Sequence, residues 1–424
     1  MHHRRHLLCF LLIIFFFANL VPVYALNGDS PYVTGAYPQT LGKAALLMDA
    51  SSGRVLYEKN AHQRLSPASV TKIMTALLVV EKGNLGREIT VSQTAADTPE
   101  SSIWLEAGEK LTREQLLYAC MLHSANDAAV ALAESVAGSE KTFVKLMNRR
   151  AQQLGMKDSH FCNPHGLETS GHYTSAYDLA LLSREALNHK MFRQVVSTKT
   201  KKIPWAGNTY DRLLINQNRL LYRYEGAIGI KTGYTKVAGN CVVGAAQRGS
   251  LLLIAVAMNS PSVYQDLEQM LDYGFAHYNK ETIKQVNQLS VTVPVVNGQE
   301  KTVQVRPKAD LTAAVTTKEK ARFSYKVYPR SQVTAPVTKG QILGSCKMYV
   351  AGQEVGKVDL LASASVAAKP SFFTRFKSGC IFFLKIIFIT FLIVFCCAYL
   401  IRLRNLKRRR NRRIYRTYRS DREY

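Results

Sequence analysis

The chain has 424 residues, of which 47% are apolar and 20% charged, so it is long enough for two domains with their own cores plus appended segments. Its formal net charge of +26 at first suggests nucleic acid as a partner, but eleven cations against two acidic residues follow Ile401. The rest stays basic, which suits an anionic cell envelope, and it carries no motif typical of DNA or RNA binding, so we expect no nucleic-acid partner.

The N-terminus has the layout of a secretory signal peptide. Basic residues up to His6 are followed by an almost wholly apolar segment from Leu7 to Leu20, and Val23-Tyr24-Ala25 supplies residues tolerated at a cleavage site. We expect residues 1–25 to be removed, although an uncleaved N-terminal anchor is the alternative. In both cases the bulk of the chain is predicted to be exported.

A serine and a lysine share one face of the first long helix. Two predicted strands, Leu41 to Ala50 and Arg54 to Glu58, form a hairpin that leads to this helix. Ser66-Pro67 indicates its start, because proline at the first helical position gives up an N–H that has no intrahelical partner. Ser69 and Lys72 are three residues apart. Burial lowers the pKa of a lysine toward neutrality, so this amine can take the proton of the serine.

The backbone N–H of Ser69 also lacks an intrahelical partner and can face an anionic oxygen. This requires that Ser66 does not cap the helix, so we expect its hydroxyl to point elsewhere. Serine and lysine at this spacing also occur at ordinary helix starts with a surface lysine. The interpretation therefore depends on other segments of the chain.

A second polar segment, Ser124-Ala125-Asn126, falls between two predicted helices. Thr112-Arg113-Glu114-Gln115 has the form of a capping box and begins a helix through Leu122, and the next helix runs from Asp127 to Val136. A turn between helices can direct a hydroxyl and an amide into a cleft, although both residue types are ordinary turn residues too. Two more helices are predicted, over 141–154 and 176–187.

Three histidines and a cysteine between Asp158 and Tyr173 invite a zinc interpretation. No H-E-x-x-H and no C-x-x-C spacing occurs there, so we predict loop structure and no metal site.

The third polar segment, Lys231-Thr232-Gly233, lies on a predicted strand. Lys231 supplies a positive charge, and Gly233 lets the strand approach a substrate without an intervening side chain. With the N-terminal hairpin, three strands are predicted to form one mainly antiparallel sheet, and a helix closes it; these elements are Glu225 to Thr235, Cys241 to Gln247, Leu251 to Met258 and the helix Val263 to Tyr278.

The three polar segments, in this order, resemble the low-molecular-mass penicillin-binding proteins that are serine-type D-alanyl-D-alanine carboxypeptidases. The resemblance extends from about Tyr37 through Ala362 and includes the flanking Tyr234-Thr235 and the stretches N-P-H-G-L and G-H-Y. Three motifs in order are much rarer by chance than one. The resemblance implies an α/β (α+β) fold, with a β-lactamase/transpeptidase-like catalytic domain whose antiparallel sheet is flanked by helices, and no cofactor.

The resemblance also implies an activity, the removal of the terminal D-alanine from peptidoglycan stem peptides, and sensitivity to β-lactam antibiotics. Ser69 is the expected nucleophile and carries the acyl group, Lys72 is the general base, and Ser124 relays a proton to the leaving D-alanine. The group that activates the deacylating water is left open.

Substrate recognition is implied for the remaining motif residues. Asn126 is expected to bind the peptide amide, and Lys231 with Thr232 to hold the terminal carboxylate. Gly233 is expected to lie against the bound substrate. The backbone N–H groups of the nucleophile and of Tyr234 are expected to hold the oxyanion. The family often has a basic residue between the last strand and the closing helix, but the segment 259–265 has none.

Beyond the catalytic domain, assigned to 26–280, the sequence changes to alternating strands and turns, which predicts a small all-β domain over 281–366. By resemblance, this domain holds the catalytic domain off the membrane. A linker, 367–379, leads to an apolar segment, 380–401, that is long enough to span a bilayer. The basic tail, 402–424, predicts that this end is cytoplasmic. The family more often has an amphipathic helix lying on the membrane.

Four cysteines fall in the exported part, which is too few for a disulfide scaffold, and their pairing is left open: Cys120, Cys162, Cys241 and Cys346. Cys120 and Cys241 are expected to be small buried core residues.

Two other functions share parts of this pattern. A class A-like β-lactamase has the same motifs, but a Glu-x-x-x-Asn segment is not evident between Asn126 and Lys231, and a membrane-anchored β-domain is out of place there. The second alternative is a non-catalytic wall-binding protein on the same scaffold. The intact motif residues argue against it, because a protein without catalytic activity does not need them.

Overall fold

The computed structural model describes residues 38–369 and 372–420. The predicted signal peptide and its cleavage site lie outside these residues. The chain divides into two compact units, of which the first reaches to Ser290 and includes Arg306–Pro329 and Gly344–Leu361, and the second contains Val291–Val305, Arg330–Leu343 and the chain from Ala362 onward.

The first unit contains nine strands up to Met258. In chain order they are β1 Ala44–Asp49, β2 Val55–Lys59, β3 Glu88–Thr90, β4 Lys110–Thr112, β5 Thr200–Ile203, β6 Arg212–Ile215, β7 Ala227–Thr235, β8 Gly239–Arg248 and β9 Leu251–Met258. Five of them form an antiparallel sheet in the order β2-β1-β9-β8-β7. The predicted sheet and its N-terminal hairpin are therefore confirmed, with the strand ends shifted by a few residues.

Both faces of this sheet are buried. Successive side chains of a strand point to opposite faces, so Leu46 and Met48 belong to one apolar core and Ala45 and Leu47 to another. Helices cover the two cores, which explains why β1 and β9 are apolar at nearly every position instead of alternating.

The helices of this unit are α1 Lys72–Lys82, α2 Gln93–Ala96, α3 Arg113–Tyr118, α4 Asn126–Ala137, α5 Glu140–Leu154, α6 Ala176–Ala186, α7 Lys190–Ser197, α8 Leu220–Arg223 and α9 Val263–His277. The capping box at Thr112 is present, since its side chain accepts from the N–H of Gln115 and the Gln115 side chain accepts in return. α7 and the two-stranded sheets β3–β4 and β5–β6 were not predicted, because elements of three to eight residues are too short to repeat a pattern more than once or twice.

The predicted helix that precedes Ser124 differs in detail. α3 ends at Tyr118 and is followed by one π-helical turn, Ala119–His123. Ser124 then adopts a left-handed backbone conformation, with φ of 66°, before α4 begins. Such a turn ends the helix abruptly and directs the next residues out of its path.

Eight further strands make up the all-β part, whose prediction is confirmed. They are β10 Asn279–Lys284, β11 Val291–Val296, β12 Thr302–Pro307, β13 Leu311–Val315, β14 Phe323–Pro329, β15 Val333–Thr334, β16 Ile342–Val350 and β17 Gln353–Ala362. Within the first unit β10 pairs with β13 and β14 with β16. Within the second, β11 pairs antiparallel with β12 and parallel with β15.

A buried ion pair joins the N-terminal hairpin to the later part of the first unit. The Arg54 guanidinium donates to both carboxylate oxygens of Glu319, at 2.6 and 3.0 Å, and to the carbonyl of Ala314 at 2.7 Å. The neighbouring Asp49 carboxylate accepts from the N–H of Ala314. The Arg54 guanidinium therefore neutralises the buried charge of Glu319.

The last described element is one long helix, α10 Phe372–Ser420. Among the described residues, it contains the one stretch long and apolar enough to cross a bilayer, Ile381–Arg410. The predicted apolar segment lies at the start of this stretch. The basic tail continues the same helix as far as Ser420.

Cys120, Cys162, Cys241 and Cys346 are free thiols, so no disulfide joins them. Cys120, Cys241 and Cys346 are buried, and Cys162 is partly exposed.

Candidate active site

Ser69 lies in a tight turn that neighbouring backbone holds in place. The turn is a 3-10 helix, Ala68–Thr71, that runs directly into α1. No side chain caps it, so the Ser66 hydroxyl points elsewhere, as predicted. Ala68 has φ of 49°, a conformation that non-glycine residues rarely adopt.

Two glycines make this turn possible. A Cβ atom on Gly166 would lie 2.0 Å from the carbonyl oxygen of Ala68, and one on Gly233 would lie 2.7 Å from the backbone nitrogen of Ser69. Both distances are too short for any side chain. Gly233 therefore lets β7 lie directly against the turn and keeps the space beside the Ser69 N–H open.

Lys72 is fully buried and uses all three of its donor positions. Its Nζ atom donates to Ser69 Oγ at 2.9 Å, to Asn126 Oδ1 at 2.7 Å and to the carbonyl oxygen of His165 at 2.7 Å. Burial lowers the pKa of Lys72 to about 8, although the charges of Asp127 and Glu100 act against this shift. A sizeable fraction of this amine is therefore neutral near physiological pH.

The three hydrogen-bond partners of Lys72 differ in whether they can also donate a hydrogen bond to its neutral amine. Asn126 Oδ1 and the His165 carbonyl can only accept, so they take the two N–H bonds of the neutral form. Ser69 is the one partner that can donate. The lone pair of a neutral Lys72 is therefore directed at the hydroxyl hydrogen of Ser69.

Ser124 and Asn126 are almost fully buried, and Asn126 contacts Lys72 directly. The left-handed Ser124 is placed between the π-helical turn and α4, and Asn126 is the first residue of α4. The Asn126 amide donates one hydrogen to the carbonyl of Pro99 at 2.8 Å. Its second N–H remains available for a ligand in the cleft.

Lys231 lies on β7 and is also buried. Its Nζ atom donates to the carbonyl of Thr232 at 3.0 Å. Burial, and then the charge of Lys72, lower the pKa of Lys231 to about 7. An anionic group bound nearby would stabilise the charged form and raise this pKa again.

These residues meet at one cleft of about 230 Å³. Six of the predicted site residues line it: Ser69, Ser124, Asn126, Thr232, Gly233 and Tyr234. Of the other two, Lys72 and Lys231, both are buried, and Lys72 contacts Ser69 and Asn126. The cleft is also lined by Glu100, Ser101, Gln217 and Tyr264, which sequence reasoning missed because isolated loop residues form no pattern.

The loop with the histidines supports the turn that carries Ser69. His172 Nδ1 accepts from the N–H of Cys162 at 3.2 Å, so its Nε2–H donates to Thr71 Oγ at 2.9 Å. Burial lowers the pKa of His172 to about 4, which keeps the ring neutral and this arrangement intact. The family stretch N-P-H-G-L pointed to this loop, but the contact through the His165 carbonyl has no sequence signal.

Glu168 links the same loop to the end of β7. One of its carboxylate oxygens accepts from Thr235 Oγ at 2.5 Å and from the N–H of Val237 at 3.1 Å. The two sides of the cleft are thereby joined at one end.

No basic residue occupies the segment between β9 and α9, as the sequence indicated. Tyr264 faces the cleft from the first turn of α9, and its hydroxyl accepts from the N–H of Arg219 at 3.1 Å.

Comparisons with known proteins agree with this geometry. Residues 32–262 match the Peptidase S11 family, described as D-alanyl-D-alanine carboxypeptidase, and residues 278–368 match the C-terminal domain of penicillin-binding protein 5. The chain is 35% identical over 353 residues to D-alanyl-D-alanine carboxypeptidase DacF of Bacillus subtilis, which covers 81% of this chain and 88% of that protein. DacC of Escherichia coli is 32% identical over 349 residues, which covers 78% of this chain and 85% of that protein.

Solved structures show the same relationship. Penicillin-binding protein 5 from Haemophilus influenzae superimposes with a TM-score of 0.63 at 26% identity, over 79% of this chain and all of that one. Penicillin-binding protein 6B from Escherichia coli gives a TM-score of 0.60 at 27% identity, over 78% of this chain and 97% of that one. The chain therefore belongs to the D-alanyl-D-alanine carboxypeptidase family, as a serine-type peptidase of the penicillin-binding type.

Proposed function

We propose that Ser69 is the nucleophile of this carboxypeptidase and that Lys72 is its general base. The hydrogen bond from Lys72 to Ser69 is the observation that carries the proposal. The pKa of Lys72, lowered to about 8 by burial, supports the role, because a base should titrate near the working pH. The Ser69 oxygen attacks the carbonyl of the penultimate D-alanine, and its proton passes to Lys72.

The oxyanion that forms would be held by the backbone N–H groups of Ser69 and Tyr234. Gly233 supports this role, since the space that its missing Cβ leaves lies against the Ser69 nitrogen. Asn126 would bind the peptide amide through its second N–H.

Lys231, with Thr232, would hold the terminal carboxylate of the substrate. Because the pKa of Lys231 is lowered to about 7, binding of a carboxylate favours protonation of this amine, and protonation of the amine favours binding of the carboxylate. Ser124, at the end of the π-helical turn, would then pass a proton to the nitrogen of the leaving D-alanine.

Hydrolysis of the acyl-enzyme distinguishes the carboxypeptidase from its alternatives. Once D-alanine leaves a peptide acyl-enzyme, water can enter the vacated space. A penicillin acyl-enzyme keeps its thiazolidine ring attached in that space, so this adduct should persist. We expect a covalent adduct on Ser69 that lasts for many minutes in intact-protein mass spectrometry, together with release of free D-alanine from a stem-peptide mimic.

Other outcomes of that experiment would contradict the proposal. Rapid return to the unmodified mass, with hydrolysed penicillin in solution, would indicate a β-lactamase. Neither adduct nor D-alanine release would indicate a non-catalytic wall-binding protein. Ser69→Ala is the control, since it should form no adduct and release no D-alanine.

We further propose that the protein is exported, loses residues 1–25 and is anchored by the helix over 380–401. The eleven cations after Ile401 support a cytoplasmic C-terminus, because basic flanks remain on that side. The catalytic domain, 26–280, and the β-domain, 281–366, would then lie on the outer face of the membrane, joined to it by the linker 367–379.

A further inference from the structure

The two tryptophans of the chain lie next to each other, Trp104 exposed and Trp205 partly buried. The rings of Trp104 and Trp205 are nearly parallel, with an angle of 13° and centroids 6.5 Å apart. Tyr210 meets the edge of Trp205, with centroids 5.6 Å apart. Trp104 is 68% exposed and Tyr210 is 62% exposed. We call these three rings the tryptophan platform.

The exposed position of Trp104 is enforced by its backbone. Trp104 has φ of 55°, a left-handed conformation that is unfavourable for a bulky residue. Its N–H donates to the Ser102 hydroxyl at 2.8 Å, and its carbonyl accepts from the Arg212 guanidinium at 3.0 Å. The surroundings therefore maintain a strained conformation that holds an apolar ring in water.

A buried ion pair underlies the platform. Arg212 pairs with Glu109, and both side chains are almost fully buried. Arg212 also donates to the carbonyls of Ile103 and Pro204, and its guanidinium lies 4.9 Å from the centre of the Trp205 ring. The segments that carry the two tryptophans are thus held by the same side chain.

The platform is also connected to the catalytic cleft. The buried Asp127 carboxylate, next to Asn126 in α4, accepts from the Ser102 hydroxyl and from the N–H of Ile103. Ser101, which lines the cleft, is only three residues before Trp104, a distance of at most about 11 Å along the chain. A stem peptide of five residues, fully extended, spans about 17 Å, so the sugar end of a bound substrate can reach the platform.

We propose that the tryptophan platform binds an N-acetylated hexosamine ring of the glycan strand that carries the stem peptide. The C–H bonds on the face of a sugar ring are weakly positive and match the negative face of an indole ring. Polar ring substituents can stay in water at the edge. The inference rests on the proposed carboxypeptidase function, because the sugar ring belongs to the same substrate whose peptide end lies in the cleft.

The size of the platform favours a sugar over a protein. Two or three partly exposed aromatic rings offer on the order of 300 Å² of apolar surface, whereas a stable protein interface buries about 800 Å² on each partner. A disaccharide fits the smaller area.

Two substrates test the proposal with the full-length protein in detergent: a free stem pentapeptide and the same peptide attached to its disaccharide. We expect wild-type kcat/KM to be about tenfold higher for the disaccharide-peptide. Trp104→Ala and Trp205→Ala should abolish this preference, mainly through KM, and should leave the free peptide unaffected. Trp104→Phe should retain part of the preference, and Tyr328→Ala, an exposed tyrosine of β14, should retain all of it.

Intrinsic fluorescence provides a readout independent of catalysis. The chain has two tryptophans, both in the platform, so titration with peptide-free glycan strands should change the tryptophan emission of the wild-type protein. The Trp104→Phe and Trp205→Phe variants assign the signal to each ring.

The inference would be overturned by an unchanged emission, by equal losses for both substrates or by no loss for either. It would also be overturned if sedimentation velocity showed that Trp104→Ala converts a dimer into monomers while the preference for the disaccharide-peptide stays unchanged. The platform would then contact a second copy of the chain. If the free peptide is not hydrolysed and penicillin does not acylate, the proposed function fails, whereas the fluorescence titration still decides the platform.

Discussion

A Cβ atom added to Gly166 would lie 2.0 Å from the carbonyl oxygen of Ala68, so the backbones of these two residues are in direct contact. Ala68 has an unfavourable left-handed conformation, and the Gly166 loop packs against it. This contact fixes the turn that carries Ser69, and the same loop supplies the His165 carbonyl to Lys72. Strained residues persist only where the surrounding structure over-determines them.

Gly166→Ala should therefore slow acylation by penicillin at least about 100-fold, because displacement of Ser69 by roughly 1 Å can have that effect. Fluorescent-penicillin labelling measures the rate. The matched control is Gly155→Ala, another left-handed glycine but with open space around it. The control should lose only about 1–2 kcal/mol of stability and acylate normally; equal acylation by both variants would show that the contact is unimportant.

Replacement of Lys72 tests the assignment of the base. Lys72→Ala should lower the acylation rate by about 10²–10⁴-fold and leave the fold intact, since a smaller apolar group replaces a buried amine. Lys72→Arg should fail as well, because a guanidinium stays protonated and cannot accept the serine proton. Near-normal acylation by Lys72→Arg would show that another group is the base.

The two buried lysines predict a bell-shaped pH dependence of kcat/KM for D-alanine release. The pKa values of Lys231 and Lys72 are lowered to about 7 and about 8, and each lysine affects the other, so these values describe the pair. Below this range both amines are charged and no base is present. Above it both are neutral and the carboxylate loses its cation. A rate that continues to rise above about pH 9 would contradict the assignment.

Removal of one partner of the Arg54–Glu319 pair should destabilise the protein strongly. Arg54→Ala leaves the Glu319 carboxylate buried without its cation, which should destabilise the protein by about 3–5 kcal/mol. Thermal or denaturant unfolding measures the change. The control is Lys110→Ala, which removes the exposed pair with Glu88 and should change the midpoint little. Similar effects of the two variants would mean that burial of the Arg54 pair is unimportant.

Membrane topology can be tested with protease added to intact cells or spheroplasts. We expect the catalytic domain to be removed and the last residues to be protected, because flanking cations such as those after Ile401 favour the cytoplasmic side of a membrane. A stop codon after Lys369 is the companion experiment and should release active enzyme from the membrane. Cleavage within 402–424 from outside would show that the orientation is reversed.

Sequence alone determined the parts of this protein that depend on local patterns. The capping box at Thr112, the strands of the main sheet and the order of the three polar segments could all be read from residue types and spacing. The pairing of Ser69 with Lys72 followed in the same way, since residues three apart on a helix are neighbours whatever surrounds them.

Only the tertiary structure decided how these segments meet. The His165 carbonyl beside Lys72 and the space that Gly233 leaves at Ser69 involve backbone atoms, which every residue has and which therefore give no sequence signal. The lowered pKa values of Lys72 and Lys231 depend on how completely distant segments exclude water from both amines. The alignment of Trp104 with Trp205 arises because Arg212 contacts two loops about 100 residues apart in sequence, and such long-range packing cannot be deduced from the pattern of either loop.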